Sequence, residues 1–323
     1  MKVLVTGAGA LLGQGIIRSL MASSLDVEII AADPSPLSAG LYWTPHRHLL
    51  PMARDGRYIE ALSAVLERER PDAVFVGTDV ELVLLAEHRP ELEARFGTKL
   101  IVSSPEVVAI ADDKYLTWEF LTKHGFDAPR SCLPGDEAAL IKEVGFPLVV
   151  KPRVGARSVG VSVVKNEAEL RRAVDGVPGV VIQECVGTEH DEYTAGVLCF
   201  DGACRASIVM RRDLRDGNTY RAYVEAFPEL NAQMRRIAEA LGPYGPANFQ
   251  FRVGADGRAK IFEINGRFSG TTPLRMHAGF NEVEMVLRHV LRGEPVVQPQ
   301  VEPMMILRYF TETVVRAGEA MQP

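Results

Sequence analysis

The chain has 323 residues, enough for two or three compact units, because a single core stops growing at roughly 250–300 residues. Its 47% hydrophobic and 24% charged residues match an ordinary globular protein, and no stretch approaches the roughly 20 apolar residues needed to span a bilayer. The 36 basic and 42 acidic side chains give a net charge of −6, which argues against a broad nucleic-acid-binding face.

The first third alternates short apolar strands with helices. Strands are expected at residues 3–6, 27–32, 73–76 and 100–102, and helices at 10–21, 58–69 and 80–95. Gly7, Gly9, Gly13 and Gly15 interrupt the first apolar run, so a strand, turn and helix explain it better than a leader peptide. This alternation predicts a Rossmann-like, doubly wound parallel sheet closing near residue 104. The pattern then changes. Helices are expected at 114–124, 136–144, 167–174 (capped by Asn166), 228–241 and 282–291. Strands are expected at 146–150, 161–165, 180–184, 194–200, 205–210, 247–253 and 258–265. Turns such as Asp201-Gly202 and Asp256-Gly257 join neighbouring strands, which predicts mainly antiparallel pairing. The expected architecture is α/β followed by α+β, with units at 1–104, 105–187 and 188–323.

Cys132, Cys185, Cys199 and Cys204 form no CxxC pair, and neither they nor the seven histidines show zinc spacing. A reduced, cytoplasmic protein is expected. One hairpin carries a stronger metal signal. With Asp256-Gly257 as a two-residue turn, Ala255 pairs with Arg258, Arg252 with Ile261, Gln250 with Glu263, and Asn248 with Asn265. Side chains alternate along a strand, so Gln250, Glu263, Asn265 and Arg267 share one face, while Phe249, Phe251, Phe262 and Ile264 take the other. Oxygen ligands of this kind suit Mg²⁺, which takes one or two protein carboxylates and completes its shell with phosphate oxygens and water. Arg267 beside them would neutralise phosphate charge.

Upstream, a strand ends at Lys151 and is followed by Gly155, Ser158 and Gly160 in a loop that joins two strands. Glycines let backbone N–H groups approach phosphate. No Gly-Lys-Ser/Thr leads into a helix, so this is not a Walker loop. The strand 180–184 then turns polar at Gln183-Glu184-Cys185-Val186, and Glu192 follows after a short loop.

Lys114, the 151–161 block, residues 183–186, Glu192 and the Gln250/Glu263/Asn265/Arg267 group occur in an order that resembles ATP-grasp enzymes of the carbamoyl phosphate synthetase large-subunit type, and more loosely D-alanine–D-alanine ligase. The resemblance covers roughly residues 112–272. It implies a pre-ATP-grasp domain followed by an ATP-grasp fold. Lys114 and Lys151 would contact phosphates, with Lys151 near the α-phosphate. Ser158 and the amides up to Gly160 would form a lid. Glu184 and Val186 would meet adenine through backbone groups, and Glu192 would hold ribose hydroxyls. Glu263 and Asn265, with Gln250 as third ligand, would bind Mg²⁺, with Mn²⁺ as an alternative, and Arg267 would stabilise the transferring phosphate. Two departures stand out: Arg157 occupies a position where many relatives have glycine, and Gln250 replaces an acidic ligand used by some.

The implied reaction is ADP-forming ligation of a small carboxylate to an amine or other nucleophile through an acyl-phosphate. A kinase acting on bicarbonate or carbamate is the nearest alternative. Gly7-Ala8-Gly9, Gly13 and Asp33 resemble a dinucleotide fingerprint with altered spacing, so an NAD(P)-dependent oxidoreductase or a nucleotide-sensing protein is a second alternative. Arg211, Arg212, Arg215 and Arg221 are read either as a substrate clamp or as solvated surface, and Ser269–Thr272 as lying near the acceptor. Substrate identity and homo-oligomerisation are left open.

Overall fold

A computed structural model describes residues 1–155, 159–254 and 257–321. The chain begins β1 (Lys2–Val5), α1 (Leu11–Met21), β2 (Glu28–Asp33), β3 (His46–Leu49), α2 (Tyr58–Glu69), β4 (Ala73–Phe75), α3 (Leu82–Phe96) and β5 (Lys99–Ile101). These five strands form a parallel sheet in the order β3-β2-β1-β4-β5. Central strands such as Val3-Leu4-Val5 are buried on both faces, as helices covering both sides of a parallel sheet require. β3 was not expected. Its His-Arg-His-Leu sequence reads as polar because it is an edge strand, and His48 is paired with Glu69.

Two helices follow, α4 (Pro105–Asp112) and α5 (Lys114–Lys123). Ser104 caps the first and Asp113 the second by accepting backbone N–H bonds in the opening turn. Next come β6 (Ser131–Cys132), α6 (Glu137–Val144), β7 (Leu148–Pro152), β8 (Ser162–Val164), α7 (Glu167–Val174) and β9 (Val180–Glu184), which build an antiparallel sheet in the order β6-β9-β7-β8. Asn166 caps α7 through Glu169 N at 3.0 Å. Leu140, Leu148, Val150, Val164, Leu170 and Ile182 form a small separate core for this layer.

The remainder is β10 (Glu192–Phe200), β11 (Ala203–Arg215), β12 (Asn218–Val224), α8 (Pro228–Leu241), β13 (Gly245–Val253), β14 (Ala259–Asn265), α9 (Thr272–His277), α10 (Glu282–Arg292) and β15 (Met304–Leu307). Its six strands pair antiparallel as β14-β13-β10-β11-β12-β15. One face packs on α8 through Met234, Ile237, Phe249 and Phe251. The other shares a core with the N-terminal sheet: Ile16, Ile17 and Phe75 join Ile208, Met210, Phe268 and Val283. This common core includes Ile16 and Ile17 of α1 with Phe268 and Leu274, so it holds the segment after β14 against α1. Among the described residues, no helix is long and apolar enough to cross a membrane.

Candidate functional site

The β13–β14 hairpin supplies the centre of the site. Asn248 pairs with Asn265 and Gln250 with Glu263, as the turn count predicts. Farther out the expected register is one residue off: Phe251, not Arg252, faces Ile261, and Arg252 faces Lys260. Two local features account for this. Gly254 N donates to Arg258 O at 3.0 Å, so the connection is longer than a two-residue turn, and a bulge at Phe262 restores the inner register. The turn residues Ala255 and Asp256 lie outside the described residues. The bulge also corrects the expected placement of Phe262. It is half-buried, outside the hydrophobic core, with its ring 5.3 Å from Lys151 Nζ.

On the shared face, Gln250 Nε2 donates to Glu263 Oε1 at 2.7 Å and Asn265 Nδ2 donates to the same oxygen at 3.1 Å. Arg267 Nη2 donates to Asn265 Oδ1 at 2.9 Å, and Arg267 Nε donates to Asp79 Oδ1 at 2.6 Å. Asp79 comes from the N-terminal unit, so this ion pair bridges the cleft wall. Arg212 Nη2 donates to Gln250 Oε1, and also to Glu192 Oε1 at 2.8 Å. Each amide oxygen therefore keeps a second lone pair, and Glu263 keeps its other carboxylate oxygen. One carboxylate with two amide oxygens is a donor set suited to Mg²⁺ and sparse enough to need phosphate oxygens to complete it. Among the described residues, no group of three His, Cys, Asp or Glu side chains forms a metal cage.

Lys151, at the end of β7, reaches this face from the small sheet. Its ammonium donates to Gln183 Oε1 at 2.8 Å and to Phe262 O at 3.2 Å. Burial lowers its pKa to about 7, against a partial upward pull from the Glu263 charge. A buried lysine without a bonded carboxylate gains from an anionic ligand. Lys114 Nζ donates to Gly155 O at 2.7 Å, and Arg153 forks onto Asp113, so the first limb of the glycine loop is tied to the start of α5. Gly160, at φ +74°, closes the far limb against Pro152. Ser158, with Arg157, lies outside the described residues.

The strand end after β9 is partly committed. The Glu184 carboxylate accepts from Lys260 Nζ at 2.6 Å and from Arg130 N at 3.0 Å, and Glu184 N donates to Arg130 O. Val186 O accepts from Arg252 Nη1 at 3.2 Å. The buried Glu192 is held between Arg212 and Arg252, the latter at 2.9 Å. Arg212 is therefore neither of the sequence alternatives taken as a group: it is buried, bridges Glu192 to Gln250, and has an Nε–H without a protein acceptor. Arg211 and Arg221 instead lie near Asp213, and Arg215 stacks on Tyr220. The continuation of β11 to Arg215 was missed because its alternating Arg and Asp residues read as surface.

Residues 269–272 fold back on themselves through a Ser269–Thr271 hydroxyl contact at 2.6 Å. Beneath them lies Arg275, fully buried and paired with Glu282 at 3.0 Å. Gln250, Glu263, Asn265, Arg267, Asp79 and Lys114 all line one cleft of about 1690 Å³. Gly9 also lines it, but the Gly7–Gly13 turn is filled by protein. Asp33 accepts from Gly9 N at 2.7 Å and from Ser38 Oγ at 2.6 Å, and a Cβ on Gly9 would meet Ser38 Oγ at 2.2 Å. The carboxylate that a dinucleotide ribose would require is thus already committed, which counts against the oxidoreductase alternative.

Comparison with known proteins gives three family matches: residues 180–313 with "ATP-grasp in the biosynthetic pathway with Ter operon", residues 3–101 with a PylC-like N-terminal domain, and residues 114–229 with the D-ala D-ala ligase C-terminus. A carbamoyl phosphate synthase large chain from Campylobacter jejuni is 38% identical over 243 residues, covering 66% of this chain and 21% of that protein. The chain spans less than a third of the length of such full-length large chains. Among solved structures, N5-carboxyaminoimidazole synthetase from Staphylococcus aureus, complexed with ADP, superposes with a TM-score of 0.75 at 14% identity, covering 95% of this chain and 82% of that one. An L-amino acid ligase from Bacillus licheniformis gives 0.71 at 17% identity, covering 92% and 75%. The ordered motifs, the three-sheet architecture and these matches agree: the chain has the ATP-grasp fold, and its residues 114–313 match models of ATP-grasp and D-ala D-ala ligase families.

Proposed function

We propose that the protein is an ADP-forming ligase that uses Mg-ATP to activate a small carboxylate and delivers the acyl group to an amine or other nucleophile. The observation that carries this reading is the convergence of Glu263, Asn265, Gln250, Arg267 and Lys114 around one cleft, with Lys151 hydrogen-bonded to Phe262 O on the same strand. Residues 1–104 would form one wall, 105–187 the lid layer and 188–323 the metal-bearing sheet. Glu263, Asn265 and Gln250 would hold Mg²⁺, or Mn²⁺ with similar oxygen preference, and the bound ion would offset charge on the nucleotide phosphates.

The protein's own groups would do the rest by position and charge. Lys151 and Lys114 would contact phosphates. Residues 153–160, including Ser158 and Gly160, would close over them and exclude water. The Val186 N–H, which has no acceptor in the main chain among the described residues, would meet adenine beside Glu184. Glu192, held rigid by two arginines, would accept the ribose hydroxyls. A carboxylate oxygen attacks the γ-phosphorus while the bond to the ADP oxygen breaks, and Arg267 stabilises the transferring group. The nucleophile then attacks the acyl carbon, loses a proton and expels phosphate. The relatives of carbamoyl phosphate synthase type keep bicarbonate or carbamate in view as the acid, and bicarbonate-dependent ADP release separates that case. Glu263→Ala is expected to abolish ATP turnover while leaving the far-ultraviolet circular dichroism unchanged. Wild-type turnover in that variant would remove the metal assignment.

A further inference from the structure

Part of the cleft carries arginines that no acid among the described residues neutralises. Arg18 lies exposed on α1, and Arg308 immediately follows β15. Both line the same cleft as Glu263 and Arg267. Of the three other described arginines that line the cleft, Arg267 is paired with Asp79 and Arg212 with Glu192, while Arg215 stacks on Tyr220. Among the described residues, neither Arg18 nor Arg308 is within ion-pair distance of a carboxylate. Glu312 lines the cleft but pairs with neither. Arg308 is tied down by its N–H to Tyr220 O at 3.0 Å and by its guanidinium to Gly270 O. Burial disfavours its charge, and the nearby Arg18 charge disfavours it further.

These arginines also sit beside the expected chemistry. A Cβ on Gly15 of α1 would lie 2.9 Å from Pro273 at the start of α9 and 4.0 Å from Ser269 O, so α1 rests on the loop that follows Arg267 and on the helix after it, and Arg18 is one helical turn beyond Gly15. Gly270, which accepts from Arg308, belongs to that same loop. Two guanidinium groups of like charge, one of them partly desolvated, form a site with a net demand for an anion. Guanidinium forks match carboxylate and phosphate geometry.

We propose that Arg18 and Arg308 form a subsite for a non-reacting oxyanion, a carboxylate or a phosphate monoester, carried by the acceptor substrate beyond Arg267. Its assignment to the acceptor rests on the ligase reading above, whereas the anion site itself does not. Tyr309 and Phe310 line the cleft beside Arg308 with their rings largely uncovered, at 80% and 93% exposure, so the anion-bearing substrate meets apolar surface there.

The test is calorimetric titration of inorganic phosphate and, separately, succinate into the full chain saturated with Mg²⁺ and a non-hydrolysable ATP analogue, which fills the nucleotide phosphate positions. Wild type should bind at least one of them, and R18Q/R308Q should bind about tenfold or more weakly. R308K should recover part of the loss, because lysine restores charge but not the fork. The control R95Q/R236Q, two exposed arginines elsewhere, should match wild type. Tighter phosphate binding points to a phosphorylated acceptor, and tighter succinate binding to a second carboxylate. Absence of binding in wild type, or equal binding in R18Q/R308Q, overturns the subsite. Failure of the ATP analogue to bind wild type instead overturns the nucleotide reading, so the two failures are distinguishable.

Discussion

Lys151 offers a prediction whose size follows from its surroundings. Without nucleotide, burial holds its pKa near 7. At pH 8 such a group is roughly nine-tenths neutral. Contact with phosphate favours the ammonium form and would return the pKa toward the ordinary value near 10.5. Binding of Mg-ATP at pH 8 should therefore take up roughly 0.9 proton per site, and the apparent Kd should rise roughly fiftyfold between pH 7 and pH 9. Nucleotide phosphates titrate near about 6, below this window. Calorimetry in buffers of different ionisation enthalpy reads the uptake directly, with Lys151→Met as the control that removes it. The sign for stability is also defined. Between about pH 7 and 10.5 the unfolded chain binds the proton that folded Lys151 lacks, so the lysine's contribution to the stability of the nucleotide-free protein improves as pH rises through that window. Proton uptake near zero in wild type, or unchanged uptake in Lys151→Met, would refute the reasoning.

Two other substitutions probe the support beneath the site and its centre. Gly196→Ala would put a Cβ 2.3 Å from the Arg275 guanidinium, which is fully buried and held by Glu282 and Asn248. A destabilisation of about 2 kcal/mol is expected, read as a lower urea midpoint, and an unchanged midpoint would show that Arg275 can yield. Glu263→Ala, which removes the carboxylate on which Gln250 and Asn265 converge, should reduce ADP formation by about a hundredfold or more, measured at saturating ATP.

The central juxtaposition was legible because strand alternation and a hairpin turn are local rules. Gln250 and Glu263 fall opposite each other, and the apolar Phe249 and Ile264 mark the reverse face. The outer register was not legible: an extended turn and a bulge at Phe262 shift it in compensating directions, and neither has a sequence marker. The parallel sheet was legible from its apolar strands, except for β3, whose polar edge sequence hides it. Contacts made across units left no signal. Asp79 reaches Arg267 over 188 residues, and Arg212 reaches Glu192 and Gln250 from a strand whose charged half resembles surface. β15 and Arg308 were missed for a related reason: four residues of edge strand gain meaning only through their partner, β12.

Transfer of oxygen from a carboxylate to phosphate tests the proposed chemistry most directly. A panel of small acids labelled with ¹⁸O in the carboxyl group would be incubated with the protein, Mg-ATP and hydroxylamine as a trapping amine, and the products read by mass spectrometry. The acyl-phosphate route predicts ADP, hydroxamate and inorganic phosphate carrying one ¹⁸O from the acid that serves as substrate. Unlabelled phosphate accompanying hydroxamate, or AMP and pyrophosphate in place of ADP, would contradict it.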